Sequence, residues 1–134
     1  MSELVYVDTN VWLDYIYDRK DNLRPLGAFA FELLRKAIQC QYTIIISDWT
    51  VVEIEKHKAE NELHQALQWL KQANKLLWVH STHTLRQQAR KSNHWQDELH
   101  ALLAIKARAS FLATRNISDF SNRHTFQVVL PEQL

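Results

Sequence analysis

Five short apolar runs alternate with longer stretches of helical periodicity along this chain, and that alternation constrains its fold more than any other feature. Val5–Val7, Leu77–His80, Phe111–Ala113 and Phe126–Leu130 are each too short for a helix. Thr43-Ile44-Ile45-Ile46 is the clearest strand, being β-branched throughout. Between the runs, Trp12, Tyr15 and Ile16 share one helical face, as do Phe29, Leu33 and Ala37, and then Leu63, Ala66, Leu67 and Leu70. The spacing predicts helices over about 10–17, 25–40, 59–76, 84–90 and 95–107, with a further one carrying Glu53. Pro25 suits the first turn of the second, where its missing amide hydrogen costs nothing. Strands alternating with helices imply an α/β fold: three layers, α/β/α, around a central parallel sheet of about five strands. Residues 1–134 show no linker, repeat or low-complexity tract and read as a single domain, long enough to bury its own core.

Acidic residues follow these runs. Asp8 directly succeeds the first, Glu53 lies a little past the second, Asp97 opens the helical stretch before the fourth, and Asp119 comes five residues after it. In an open parallel sheet the carboxyl ends of the strands share one edge, and ligand crevices form there. The four carboxylates would then meet. Each also has a local explanation: Asp8 as a helix cap, Glu53 closing a capping box that starts at Thr50, Asp97 in a first helical turn, Asp119 in a turn. Convergence on one edge is what the local explanations do not require. Two like charges ~4 Å apart at an effective dielectric of 20 repel by ~4 kcal/mol, so such a pocket calls for a divalent cation. Magnesium takes one or two carboxylates, keeps several waters and accepts phosphate oxygens, which suits phosphodiester hydrolysis.

Composition narrows the alternatives. The single glycine, Gly27, excludes a Walker-type phosphate loop, a dinucleotide fingerprint and a nucleophile elbow, all of which need several. A lone cysteine, Cys40, excludes an internal disulfide framework and fits a reducing compartment. Glu3 and the early Asp8 do not suit a usual signal peptide, and no apolar stretch approaches the ~20 residues that span a bilayer. A cytoplasmic location is expected, with no membrane partner. The formal charge of +1 gives no overall attraction to nucleic acid.

The motifs themselves resemble a known family. Val-Tyr-Val-Asp8-Thr9-Asn10-Val-Trp-Leu-Asp is similar to the opening motif of PIN-domain nucleases, and Ser47 with Glu53 to their second. Asp97-Glu-Leu-His100-Ala-Leu-Leu-Ala resembles the third, and Leu112-Ala-Thr114-Arg115-Asn116-Ile-Ser-Asp119-Phe120 the fourth. The order and spacing cover nearly the whole chain, and a protein of this size most resembles the VapC-like toxins of toxin–antitoxin pairs. The resemblance implies a PIN-like sheet flanked by helices and an endoribonuclease dependent on Mg2+ or Mn2+. By position, Asp8 and Asp97 would be the main metal ligands. Glu53 and Asp119 would complete the acidic pocket, Asp119 as a further ligand directly or through water. Asn10, Thr114, Arg115 and Asn116 would support the carboxylates or contact phosphate. RNA as substrate, a cognate antitoxin and a homodimer are the partners it implies. Three departures stand out: Asn116 where many relatives carry an acid, no glycine in the turn Ala107-Arg108-Ala109-Ser110, and Glu98 beside Asp97. The helical period turns Glu98 ~100° away from Asp97, which favours Asp97 as the inward acid.

Other candidates are weaker. Seven histidines offer no His-Glu-x-x-His spacing, although His57 and His64 would share a face on a continuous helix. His100, three residues after Asp97, either borders the pocket or packs beneath it. Arg86, Arg90 and Lys91, and Arg19, Lys20 and Arg24, form small basic faces; Arg115 and Arg123 flank the fourth motif. Five tryptophans suit core or interface packing, with Trp12 and Trp95 next to the acids. Two other functions compete with the nuclease. One is a catalytically inert PIN-like binding module with a structural cation. The other is a receiver-type signalling domain, which would need adjacent acids after the first strand and a lysine after the fifth.

Overall fold

The computed structural model describes residues 2–120 and 125–134. Five strands, β1 (Glu3–Val7), β2 (Tyr42–Ser47), β3 (Leu76–Val79), β4 (Phe111–Ala113) and β5 (Gln127–Val129), pair wholly in parallel in the order β3-β2-β1-β4-β5. Among the described residues the helices are α1 (Thr9–Tyr17), α2 (Leu26–Ile38), α3 (Asp48–Lys56), α4 (Glu60–Gln72), α5 (His83–Ala89) and α6 (Trp95–Lys106). The expected α/β architecture is therefore present. The strand order also separates it from the 2-1-3-4-5 order of flavodoxin-like receivers.

Period-two alternation divides the core into two halves. Val5 and Val7, Ile44 and Ile46, and Ala113 point to the face covered by α1 to α4, where Trp12, Leu33, Ile54, Leu63 and Leu70 are buried. Tyr6, Ile45 and Leu112 point to the opposite face and pack with Leu99, Leu103 and Phe120. Both faces of the sheet are covered, as an all-parallel sheet requires.

Scarce glycine leaves a signature at the helix ends. Asp18, Cys40, Lys58, Asn74 and Arg108 all sit at φ between 48° and 72°, each just after a helix. Each is followed by the paired 5→2 and 6→1 hydrogen bonds of a Schellman ending, as with Cys40 N to Ala37 O at 2.9 Å and Gln41 N to Lys36 O at 3.0 Å. These are positions where glycine is the usual choice. Arg108 takes the left-handed conformation in the turn Ala107-Arg108-Ala109-Ser110, which holds no glycine. Gly27 is used elsewhere: a Cβ there would lie 2.7 Å from Asp18 Cα and 2.9 Å from Asp14 O, so it lets α2 approach the end of α1.

Two sequence expectations need correction. The fourth helix ends at Gln72, not near Leu76, because the chain turns at Asn74 and Leu76 already pairs with Ile44 in the sheet. His57 and His64 do not share a helical face, because α3 stops at Lys56 and the left-handed Lys58 separates it from α4.

Candidate active site

Chain order reverses at β1: β2 and β3 lie to one side, β4 and β5 to the other. The carboxyl ends of β1 and β4 therefore flank the crevice where α/β proteins bind ligands. Asp8 and Thr114 are the first residues past those two strands, and both are buried. Thr114 Oγ1 donates to Asp8 Oδ2 at 2.8 Å, while the Asn116 amide donates to Thr114 Oγ1 at 3.1 Å. Asp8 holds the N-cap position of α1, yet its side chain makes no capping bond. The local explanation for this acid thus fails, and its carboxylate is turned across the switch point instead.

Glu53 does not close a capping box. Helix α3 starts two residues before Thr50, with Ser47 as the cap that accepts from Thr50 N at 3.1 Å, so Glu53 lies inside the helix. Its Oε1 accepts from Thr9 Oγ1 at 2.6 Å and from His100 Nε2 at 2.6 Å. Asp97 is half-buried in the first turn of α6, and Asp119 is exposed on a 3-10 turn (Ile117–Phe120) whose amide donates to Asn116 O at 3.0 Å. Burial raises the Asp97 carboxyl above the ordinary range, and the charges of Asp8, Asp119 and Glu53 add to that rise while His100 opposes it. The other three acids predicted from sequence thus act on Asp97. Asn10 is half-buried in the first turn of α1, and Asn116 is exposed. Arg123 lies outside the described residues.

Sequence reasoning left His100 undecided between bordering the pocket and lying beneath it; the fold does both with it. The ring is fully enclosed, with Nε2 on Glu53, 3.3 Å from Thr9 Oγ1 and 3.7 Å from Asp8 Oδ1. Nδ1 lies 2.6 Å from the Tyr6 hydroxyl, which is 2.8 Å from Ser47 Oγ, itself 3.1 Å from Thr50 Oγ1. A doubly protonated imidazole satisfies this chain in one direction: Nδ1–H to Tyr6, Tyr6 O–H to Ser47, Ser47 O–H to Thr50. Burial disfavours the charged ring, but Tyr6, Glu53 and Asp8 outweigh it and hold its pKa well above the usual value. Burial would likewise raise Glu53; the His100 bond and charge, the Thr9 hydroxyl and Lys56 overcome that and hold it below the usual range. The available signal was the three-residue spacing from Asp97, which puts both on one side of α6.

Asp14, the last residue of the opening motif, had no role assigned from sequence. It is buried on α1, with Arg115 Nε 2.6 Å from Oδ2 and Arg19 Nη1 3.8 Å from Oδ1. Burial raises its pKa against the pull of these arginines, and Asp8 adds to the rise. Arg115, expected at the phosphate, is thus paired with an acid beneath. The signal was an acid inside the otherwise apolar stretch from Val11 to Ile16.

A family model described as the PIN domain matches residues 4–118. The chain belongs to the PIN-domain family. The match ends one residue short of Asp119. Among solved structures, this PIN domain is similar to a chain of VapBC2 from Rickettsia felis, crystallised bound to a DNA fragment from their promoter. The TM-score is 0.60 at 18% identity, over 93% of this chain and 96% of that one, a likeness of fold. No curated protein matches in sequence.

A PIN-domain crevice of this kind offers hard oxygen donors. Among the described residues, no three or more His, Cys, Asp or Glu side chains stand close enough to hold one ion together. The absence of any cysteine from the crevice disfavours a thiolate-seeking metal.

Proposed function

We propose that this PIN domain is an endoribonuclease dependent on Mg2+ or Mn2+, serving as the toxin of a toxin–antitoxin pair. The reading is carried by one observation: at the switch point of a PIN-domain sheet the buried Asp8 carboxylate, past the end of β1, is held by the Thr114 hydroxyl, past the end of β4, instead of capping its own helix. Asp8 and Asp97 would hold the cation, with Asp119 at the rim acting on it through water. When bound, the ion supplies Lewis acidity, acidifying water and shielding charge that grows on phosphorus. Thr114 fixes the Asp8 carboxylate through its hydroxyl, and His100 with Thr9 fixes Glu53. Glu53, held ionised, is the group placed to orient a water or accept its proton. Asn10 and Asn116 would contact the phosphate, as the motif resemblance implies. RNA is the substrate class that the motif resemblance supports.

The antitoxin part of the proposal draws on a shallow apolar groove of about 80 Å³ between α1, α2 and α4. Phe31, Ile38 and Trp69 are exposed there beside Tyr15, Leu34 and Arg35. A cytoplasmic site of action follows from the same proposal. Among the described residues, no helix is long and apolar enough to cross a membrane.

The test is cleavage of single-stranded RNA by purified protein, with divalent ions and with chelator, comparing wild type, Asp8→Asn and Asp97→Asn. Ion-dependent cleavage that falls at least ~100-fold in both variants is expected, as for loss of a key electrostatic group. Equal cleavage in all three would overturn the mechanism. An inert binding module, for which the exposed Asn116 in place of an acid is the argument, predicts no cleavage under any condition.

A further inference from the structure

Two tryptophans and two cations form a row beside the acidic crevice that the chemistry above does not use. Trp49 lies at the start of α3, four residues before Glu53, and Trp95 opens α6, two residues before Asp97. Their ring centroids are 5.2 Å apart at 42°, and the Trp49 ring lies 6.5 Å from that of His100. Lys56 Nζ sits 5.2 Å from the Trp49 centroid, and Arg90 Cζ sits 5.2 Å from that of Trp95. Both rings are half-buried against the core around Leu99, while Lys56 and Arg90 are exposed. Beyond Arg90 a cavity of about 340 Å³ opens, lined by His83, Arg86, Gln87 and Arg90.

Closing a core edge explains why indoles pack there; it does not explain a cation over each of them. Charge and shape together fit one occupant. Unstacked bases are recognised on aromatic faces and guanidinium planes, with cations on the adjoining phosphates. We infer that Trp49 and Trp95, flanked by Lys56 and Arg90, are a stacking platform for the bases of single-stranded RNA next to the cleavage site. A base that takes over an indole face frees the cation that rested on it, and the released side chain can reach a phosphate. The arginine-lined cavity beyond continues the path for the backbone. The platform deepens the nuclease reading and rests on it for the identity of the substrate.

Binding can be read without cleavage. In an Asp8→Asn background with chelator present, fluorescence anisotropy of a labelled RNA oligonucleotide should show Trp95→Leu binding about 10-fold more weakly, and Trp49→Leu similarly. Trp95→Phe, which keeps a π face, should restore most of the affinity. An oligonucleotide with abasic positions should bind the parent no better than intact RNA binds Trp95→Leu, and duplex RNA should bind weakly. Intrinsic tryptophan emission should be quenched by intact RNA and not by the abasic form, a readout that needs no substitution and survives if a variant fails to fold. Unchanged affinity in folded Trp95→Leu, or equal binding of the abasic strand, overturns the platform. So does a Trp95→Leu variant that keeps RNA but loses a protein partner, which would make this face a protein interface. RNA binding that meets these criteria without any cleavage by wild type would sink the nuclease reading and leave the platform standing.

Discussion

His100 connects more of the crevice than any other side chain: it touches Glu53, Thr9 and Tyr6 and faces Asp8. Its raised pKa has a definite sign. In metal-free protein, the stabilisation from its charge is complete below the unfolded value of ~6.5 and is lost as pH rises through the higher folded value. Glu53 runs the other way, contributing above its unfolded value of ~4.3 and losing that contribution as pH falls through the lower folded one. The pair therefore gives full support only between about pH 4.5 and 6.5. Thermal melts in chelator should decline on the alkaline side of that window, and His100→Gln should flatten the decline. Removing the donor altogether in His100→Leu leaves Glu53 and Asp8 facing each other unopposed and should cost about 3 kcal/mol in urea titrations. Asp97 is the reverse case, a carboxylate raised by burial and like charge. Asp97→Asn should raise the melting temperature of metal-free protein while abolishing the rise that magnesium gives the wild type, a trade between stability and function. The four acids could be proposed from sequence because motifs name residue types at fixed spacings. His100 and Asp14 were harder, because what matters about them is the company they keep once α6 and α1 are docked.

At the level of elements, the cost of scarce glycine falls on the helix ends. A left-handed residue other than glycine is strained by about 1 kcal/mol, partly offset by the entropy that glycine loses on folding. Lys58→Gly, at the exposed turn between α3 and α4, should accordingly stabilise the fold by up to ~1 kcal/mol. Gly27→Ala should do the opposite and lose about 1–3 kcal/mol, since the new methyl group meets the backbone of Asp18 and Asp14. Denaturant midpoints of the two variants, shifting in opposite directions, would check both statements. Strand and helix identities were readable from periodicity because each element buries one defined face. Their ends were less so: the ending of α4 and the break at Lys58 are set by backbone turns that lysine and asparagine make without announcing them. The same turns explain why the histidine pair of 57 and 64 dissolved.

For the whole molecule, the decisive fact is that the first strand lies in the middle of the sheet. A ligand that grips both Asp8 and a group on the far side of β1 binds only the folded chain. Magnesium at 100 times its dissociation constant should therefore add about 2.7 kcal/mol of stability to wild type and little to Asp8→Asn, as thermal shift can show. None of the residues lining the apolar groove is a candidate site residue, so Phe31→Asp should prevent capture of a purified antitoxin and leave RNA cleavage intact. Sequence pattern carried the layers and the parallel pairing, but not the strand order, which depends on pairings between distant segments. Asp8 and Thr114 are separated by 106 positions and joined by one hydroxyl. A chain that stops before Thr114 therefore leaves Asp8 without the hydroxyl that holds its carboxylate. The crevice takes its shape only once the fourth strand has joined the first, so a fragment ending before Phe111 should lack it.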